Sequence, residues 1–341
     1  MKRAGGLAAQ LATTANLELA LRRALRGKRD RPDARAFLAG LPGTLEEVGA
    51  RLREARGPVG QFTEFIIHDP KLRLISAPCF ADRVFHHAVV NVCEPALESY
   101  QIHDSYACRR GKGQFAAIDR ATGFARHHGR FLKLDIRKYF ESIPRHRLWY
   151  RLTRRFREES ILELWWQVID SWRPGEARGL PIGSLTSQHL ANFYLAALDH
   201  EVKEGWRVRG YVRYMDDCVL WAYGRREIRD LERRVRDFVE RELDIALKSP
   251  FANRTEHGMD FLGYRIFPAG PQLNVRSRKR FQRKWLALRD GWEEGEMTDA
   301  ELGERVRALV AFTERAACAG FRRAVLSGRV RPRARHREPT A

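Results

Sequence analysis

Short apolar runs that close on charged residues alternate along this chain with longer segments of helical periodicity. The helical pattern predicts a helix from about Leu7 to Leu25, ending at Gly27, and a second opened by the capping-box spacing Thr44-Leu45-Glu46-Glu47. Phe62 to Ile67 alternates as a strand does, Asp69-Pro70 turns, and Leu72 to Ser76 returns, which predicts a hairpin rimmed by Lys71 and Arg73. Helices follow over Ala81–Cys93, stopping before Pro95, and over Gly113–His127. Phe131 to Ile136 is a short apolar run ending on Asp135 and reads as a buried strand with an exposed end. Further helices are predicted from near Pro144, over Ile161–Trp172 up to the Pro174-Gly175 break, and over Ser184–Glu204. Tyr211–Met215 and Cys218–Tyr223 form a hairpin with two acids at its tip. A helix over Glu227–Leu243, hairpin-like stretches at Ile245–Leu247 and Phe261–Ile266, and two or three helices past Gly270-Pro271 complete the pattern, before an Arg-rich end from Arg322 to Arg337.

Charge sharpens this picture. Among 341 residues there are 63 Lys+Arg and 43 Asp+Glu, a formal net charge of +20, while 44% hydrophobic and 10% aromatic content is that of a folded protein. Only ten of the basic residues are lysines. Codon bias accounts for a preference for Arg over Lys, but not for a net charge so far from zero, which suits a phosphate-rich partner. The five cysteines are scattered without a C-x-x-C pair, so neither a disulfide framework nor a zinc site is indicated. No apolar run is long enough to span a bilayer, and Gln10, Thr13, Thr14, Asn16 and Glu18 interrupt any signal-like core after Met1-Lys2-Arg3. A cytoplasmic protein without a membrane partner is expected.

Asp135 and the Asp216-Asp217 pair lie 81 residues apart, yet they meet if their strands are neighbours. Hard divalent cations take carboxylate oxygens, and two ions about 4 Å apart can serve both the attacking and the leaving oxygen of a phosphoryl displacement. A solvated turn is the competing reading of Asp216-Asp217, and an acid closing a buried run, as at Asp135, weighs against it. His86, His87, His127 and His128 have no acidic partner at ligand spacing, and Trp165-Trp166 reads as core.

Tyr214-Met215-Asp216-Asp217 resembles the Y-x-D-D turn of reverse transcriptases, and Leu134 to Phe140 resembles their motif A. The remaining blocks stand in family order: Lys71 to Ile75 with Asp82-Arg83, then Tyr106 to Gly113, then Leu180 to Gln188 with Asn192 as motif B, then Leu247-Lys248-Ser249 near motif D, then Phe261-Leu262-Gly263-Tyr264 as a primer grip. The resemblance implies an α+β right-hand polymerase with an antiparallel palm sheet, helices on one of its faces, and a helical thumb. Its parts would be an N-terminal helical extension over 1–60, fingers and palm over 61–266, a thumb over 267–325 and a basic tail over 326–341. In motif B, Ile182 before Gly183 and Gln188 after Ser187 resemble the enzymes of diversity-generating retroelements, which copy a template-repeat RNA with errors at adenines.

By that resemblance, Asp135, Asp216 and Asp217 are the catalytic acids and, with the Ile136 backbone, hold two Mg²⁺ ions, Mn²⁺ being a substitute. Arg73 and Lys71 would face the triphosphate, Phe140 would exclude a ribose 2′-hydroxyl, and Ile182, Gly183 and Gln188 would border the nucleotide. Arg109, Arg110 and Lys112 would take template phosphates, Gly263 would admit primer backbone, and Lys248 would be a general acid. Solvated cations, a core phenylalanine and a bulge glycine are the plainer readings of these positions. The implied partners are template RNA, primer, cDNA, dNTPs and a small basic helical accessory protein. Retron-like and phage-defence reverse transcriptases are rivals within the class. A non-catalytic maturase-like RNA-binding protein is the rival outside it, disfavoured by retention of all three acids.

Overall fold

Three antiparallel sheets organise the chain in a computed structural model that describes residues 3–68, 72–173 and 176–328. Strands β1 (Phe62–His68) and β2 (Leu72–Pro78) form the first, a hairpin in register from Phe62 opposite Pro78 to His68 opposite Leu72. Its predicted Asp69-Pro70 turn and Lys71 lie outside the described residues, as do Pro174-Gly175 and the arginines from 329 onward. The second sheet contains β3 (Arg130–Leu134), β4 (Gly210–Tyr214), β5 (Asp217–Ala222) and β6 (Phe251–Arg254), in the order β4-β5-β3-β6. The third is β7 (Met259–Phe261), β8 (Tyr264–Phe267) and β9 (Gly270–Leu273).

Strand alternation sorts the central sheet into two apolar faces. Leu132, Leu134, Tyr211, Cys218, Leu220 and Ala222 enter a core shared with helices Phe80–Glu98, Leu185–His200 and Arg225–Arg241. Phe131, Val212, Val219 and Trp221 enter a second core with helix Gln114–His127 and the third sheet. The expected sheet with helices on only one face is therefore corrected: both faces are apolar, and both are covered.

Several element boundaries differ from the sequence reading, each for a local reason. The first helix is split into Ala8–Leu11 and Thr14–Leu25, because Thr13 caps the second piece by accepting from the Asn16 N–H. Thr44 is not a cap. The helix starts at Gly43, and the Thr44 hydroxyl donates to the Phe37 carbonyl at 2.9 Å, closing the turn from a helix Pro32–Ala39 that the pattern did not announce. Helix Phe80–Glu98 runs through Pro95, since Ala96 and Leu97 bury in the core beyond it and the proline falls in the last turn. Ile245–Leu247 is not a strand; Leu247 makes a single bridge to Ile136, and β6 was unforeseen. Past residue 267 the chain is helical over Val275–Glu293, Asp299–Ala311 and Ala319–Leu326, but β9 precedes these helices and pairs with β8.

Candidate active site

The ladder between β3 and β5 ends with Leu134 opposite Cys218, so the next position places Asp135 opposite Asp217. Because Tyr214 pairs with Asp217, Met215 and Asp216 are a two-residue loop at the tip of the β4–β5 hairpin. Met215 has φ 57°, the left-handed conformation at a loop position where glycine is usual. Sequence positions 135, 216 and 217 are thus gathered at one sheet end by register alone. The 246–248 segment closes the other side: Arg137 N–H donates to the Ala246 carbonyl at 2.9 Å and Lys248 N–H to the Asp135 carbonyl at 2.8 Å, bracketing the buried Ile136. The same arrangement sets Lys248 Nζ 2.6 Å from Asp135 Oδ2.

Burial raises the proton affinity of Asp216, and the Asp135 carboxylate raises it further, against the positive charges of Arg73 and Lys248. Asp217 is pushed up to about 6, chiefly by burial, with Asp216 and Asp135 adding to the effect and Lys133 opposing it. Lys133 Nζ sits 3.1 Å from Asp217 Oδ1 and 2.8 Å from the Asp260 carbonyl. Three acids that repel one another, balanced by Lys133, Lys248 and the more distant Arg73, form a site short of positive charge.

Residues 68–266, more than half of the chain, match the family model described as reverse transcriptase (RNA-dependent DNA polymerase). The chain belongs to the reverse transcriptase family. Protein YkfC of Escherichia coli (strain K12) is 25% identical over 259 residues, which cover 62% of this chain and 65% of that protein, so the match spans just under two thirds of the curated relative. In fold, this reverse transcriptase is similar to an apo telomerase from Candida Tropicalis truncated from its C-terminal domain, with a TM-score of 0.51 at 12% identity over 62% of this chain and 55% of the telomerase. The Candida Tropicalis telomerase in complex with a TWJ fragment of telomeric RNA gives 0.51 at 10% identity over 78% and 55%. At such identities the likeness speaks for the mixed helix and sheet fold.

Within this reverse transcriptase domain, the Leu180–Gln188 block meets the first hairpin. Ser76 N–H donates to the Ile182 carbonyl at 2.8 Å, and a Cβ on Gly183 (φ 119°) would lie 2.8 Å from Ile75 Cγ2 and 3.2 Å from the Ser76 carbonyl, so only glycine fits. Ile182 is half-buried beside a cavity of about 360 Å³ that it shares with Leu74, Trp172 and Leu180. Phe140 is half-buried against the core, and its carbonyl accepts from Leu180 N–H at 2.9 Å. Gln188 is exposed and meets the Cys108 thiol at 3.6 Å. Arg73 pairs with Ile67 in the β1–β2 ladder, and its exposed side chain makes no hydrogen bond or ion pair among the described residues.

Arg109 differs from its neighbours. Its guanidinium is engaged with both Glu98 oxygens, at 2.8 and 3.0 Å, and with the Ser105 carbonyl, whereas Arg110 is exposed. Lys112 donates to the His103 carbonyl at 3.0 Å. Gly263 is no bulge: Leu262 (φ 50°) and Gly263 (φ 86°) are the two loop residues between β7 and β8.

Sequence reasoning passed over Arg213. It is fully buried in β4, donates to both Asp199 oxygens and to Asn192 Oδ1 at 2.6 Å, and reaches the Met215 carbonyl at 3.1 Å. The available signal was an arginine where the strand called for an apolar residue. Lys133 was likewise missed, hidden as a polar position within a strand.

Proposed function

We propose that this reverse transcriptase is an RNA-directed DNA polymerase extending a primer with dNTPs on an RNA template, and that it is the error-prone enzyme of a diversity-generating retroelement. The observation carrying the polymerase reading is the convergence of Asp135, Asp216 and Asp217 at one sheet end, with Lys248 held on Asp135.

A divalent cation suits this donor set. The acids are hard oxygen donors whose mutual repulsion a cation would relieve. Mg²⁺ is usually held by one or two carboxylates plus substrate phosphates, and acids at one sheet end can supply the protein's share. Asp135 and Asp216 would hold two such ions, Mn²⁺ substituting, with the Ile136 backbone beside them and Asp217 supporting the turn. When bound, the ions supply charge stabilisation at the attacking 3′-oxygen and the leaving pyrophosphate.

The chain's own residues do the rest of the work. Arg73 lies close enough for its charge to act on Asp216, which suits a guanidinium orienting the triphosphate, a role Lys71 would share. Lys248 Nζ carries protons beside Asp135 and can release one to the leaving group. Phe140 would exclude a 2′-hydroxyl by volume. Gly263 would admit the primer backbone. Template phosphates would fall to Arg110 and Lys112, because the donors of Arg109 are engaged within the protein.

The low-fidelity reading draws on Ile182, Gly183 and Gln188, where an aliphatic side chain replaces a hydrogen-bonding one next to the nucleotide. A small basic accessory protein and a cytoplasmic setting belong to the same reading; no helix among the described residues is long and apolar enough to cross a membrane. The polymerase assignment is tested by Asp216→Asn, which keeps the size and removes the charge. Extension of an RNA-templated primer should fall to background, and extension at the wild-type rate would refute the assignment.

A further inference from the structure

Helix Arg145–Thr153 and its C-cap carry Arg147, Tyr150, Arg151 and Arg154 at i, i+3, i+4 and i+7, one continuous stripe, while Leu148 and Leu152 on the opposite side are fully buried. The stripe borders a cavity of about 590 Å³ with Arg155, over a floor of Tyr100 and Phe193. Glu242 is the one acid lining it. Arg147 and Arg151 each donate to a carbonyl at the end of helix Arg225–Arg241, of Arg241 at 2.7 Å and of Glu242 at 3.5 Å. Among the described residues, the nearest carboxylate to any of the three stripe arginines is Asp244, 3.9 Å from Arg147 Nε. Arg154 lies 5.8 Å from the ring centre of Tyr150, which is 61% exposed.

None of the three acids lines this cavity. Arg151 covers the ring of Tyr194, on helix Leu185–His200, and that helix packs on the sheet face carrying Leu132, Leu134 and Cys218. Alternation along β3 and β5 directs Asp135 and Asp217 to the other face. The site described above therefore leaves this stripe unused.

We infer that the stripe is a second RNA-binding site, gripping phosphates of an RNA segment outside the catalytic cleft. The inference rests on the reading that the substrate is RNA. A guanidinium matches phosphate oxygens through paired N–H donors, and three of them with so little acidic compensation favour a polyanion over a protein surface. Tyr150 supplies a face on which an unpaired base can stack, beside the Arg154 charge. A basic accessory protein would be repelled here.

The test uses the full chain and two fluorescent RNA-templated primer duplexes, one short and one carrying a single-stranded RNA extension of about 30 nucleotides. Wild type should bind the extended duplex at least about ten-fold more tightly. Arg151→Glu/Arg154→Glu should abolish that gain and make log K against log salt shallower by about 1.4, two phosphates at roughly 0.7 each. Extension of the short duplex should be unchanged. Arg226→Glu/Arg229→Glu, exposed on another helix, should leave the gain intact. If the first pair retains the gain and the slope, or if the second pair loses as much, the site is refuted. Tyr150→Ala/Arg154→Ala provides a milder variant should the charge reversal misfold, and it should lose most of the gain. Displacement of the extension by millimolar ATP as readily as by competing RNA would assign the site to free nucleotides and overturn the RNA reading. A wild type that binds the extension through this stripe but extends no primer would sink the polymerase assignment alone.

Discussion

Arg213 and Asp199, both without solvent exposure, form a bidentate ion pair that also reaches the acid-bearing turn through the Met215 carbonyl. Burial lowers the proton affinity of the guanidinium, but the Asp199 carboxylate beside it more than compensates and holds it above the usual arginine value. Tyr211 donates to the same carboxylate at 2.7 Å, and Asn192 ties the pair to helix Leu185–His200. The turn is thereby fixed relative to the helix that follows Ile182 and Gly183.

Arg213→Leu leaves Asp199 buried and unpaired, so it should destabilise the fold by roughly 3–5 kcal/mol. Adding Asp199→Leu should recover a large part of that loss, because it removes the orphaned charge. Urea unfolding of the single and double variants measures both. The positioning role predicts in addition that the recovered double variant stays slow in primer extension, since nothing then holds the Met215 carbonyl; full activity in a stable double variant would reduce the pair to scaffolding.

Lys248 competes with any cation for Asp135 Oδ2. Lys248→Met should lower the Mg²⁺ concentration for half-maximal extension by about three-fold, a modest effect because both side chains are partly exposed. As a proton donor Lys248 should also sustain turnover, so the same variant should lose about 10²-fold in kcat at saturating Mg²⁺. A metal titration separates the two effects, and an unchanged kcat removes the general-acid role.

Ile182 offers apolar contact where glutamine would offer a hydrogen bond, and such a bond is worth on the order of 1 kcal/mol, several-fold in selectivity. Wild type should misincorporate more opposite template adenine than opposite other bases, and Ile182→Gln should narrow that gap without abolishing extension. Equal accuracy at all four bases in single-nucleotide insertion would argue for a faithful retron-like enzyme.

His86 is buried against Ser184, and burial, aided by the charges of His87 and Arg83, pushes its imidazole down to about 3. In the unfolded chain it titrates near 6.5, so between these values the unfolded state binds a proton that the folded state refuses. Stability should therefore fall as pH drops below about 6.5, while above pH 7 this group contributes no slope. His86→Gln should lose about 2 kcal/mol less than wild type between pH 7.5 and pH 5. Parallel losses in chemical denaturation would show that His86 is not the group responsible.

The strand running up to Asp135 and the acidic hairpin tip were legible in the chain alone, because each is a local pattern, an apolar run or a turn signal. The chain also carried the family resemblance that residues 68–266 bear out. Features that depend on pairing across distance emerged only in the folded chain. Register set Asp135 against Asp217, and a bridge from Ile136 to Leu247 brought Lys248 onto Asp135, although the 246–248 segment has no ladder of its own to announce it. Arg109 and Arg110 are indistinguishable as sequence neighbours, yet Glu98 captures the first and leaves the second exposed. Buried polar groups such as Arg213 escape pattern reading for the same reason: their partners come from other elements, and only the packed core shows which carboxylate or carbonyl offsets the loss of water.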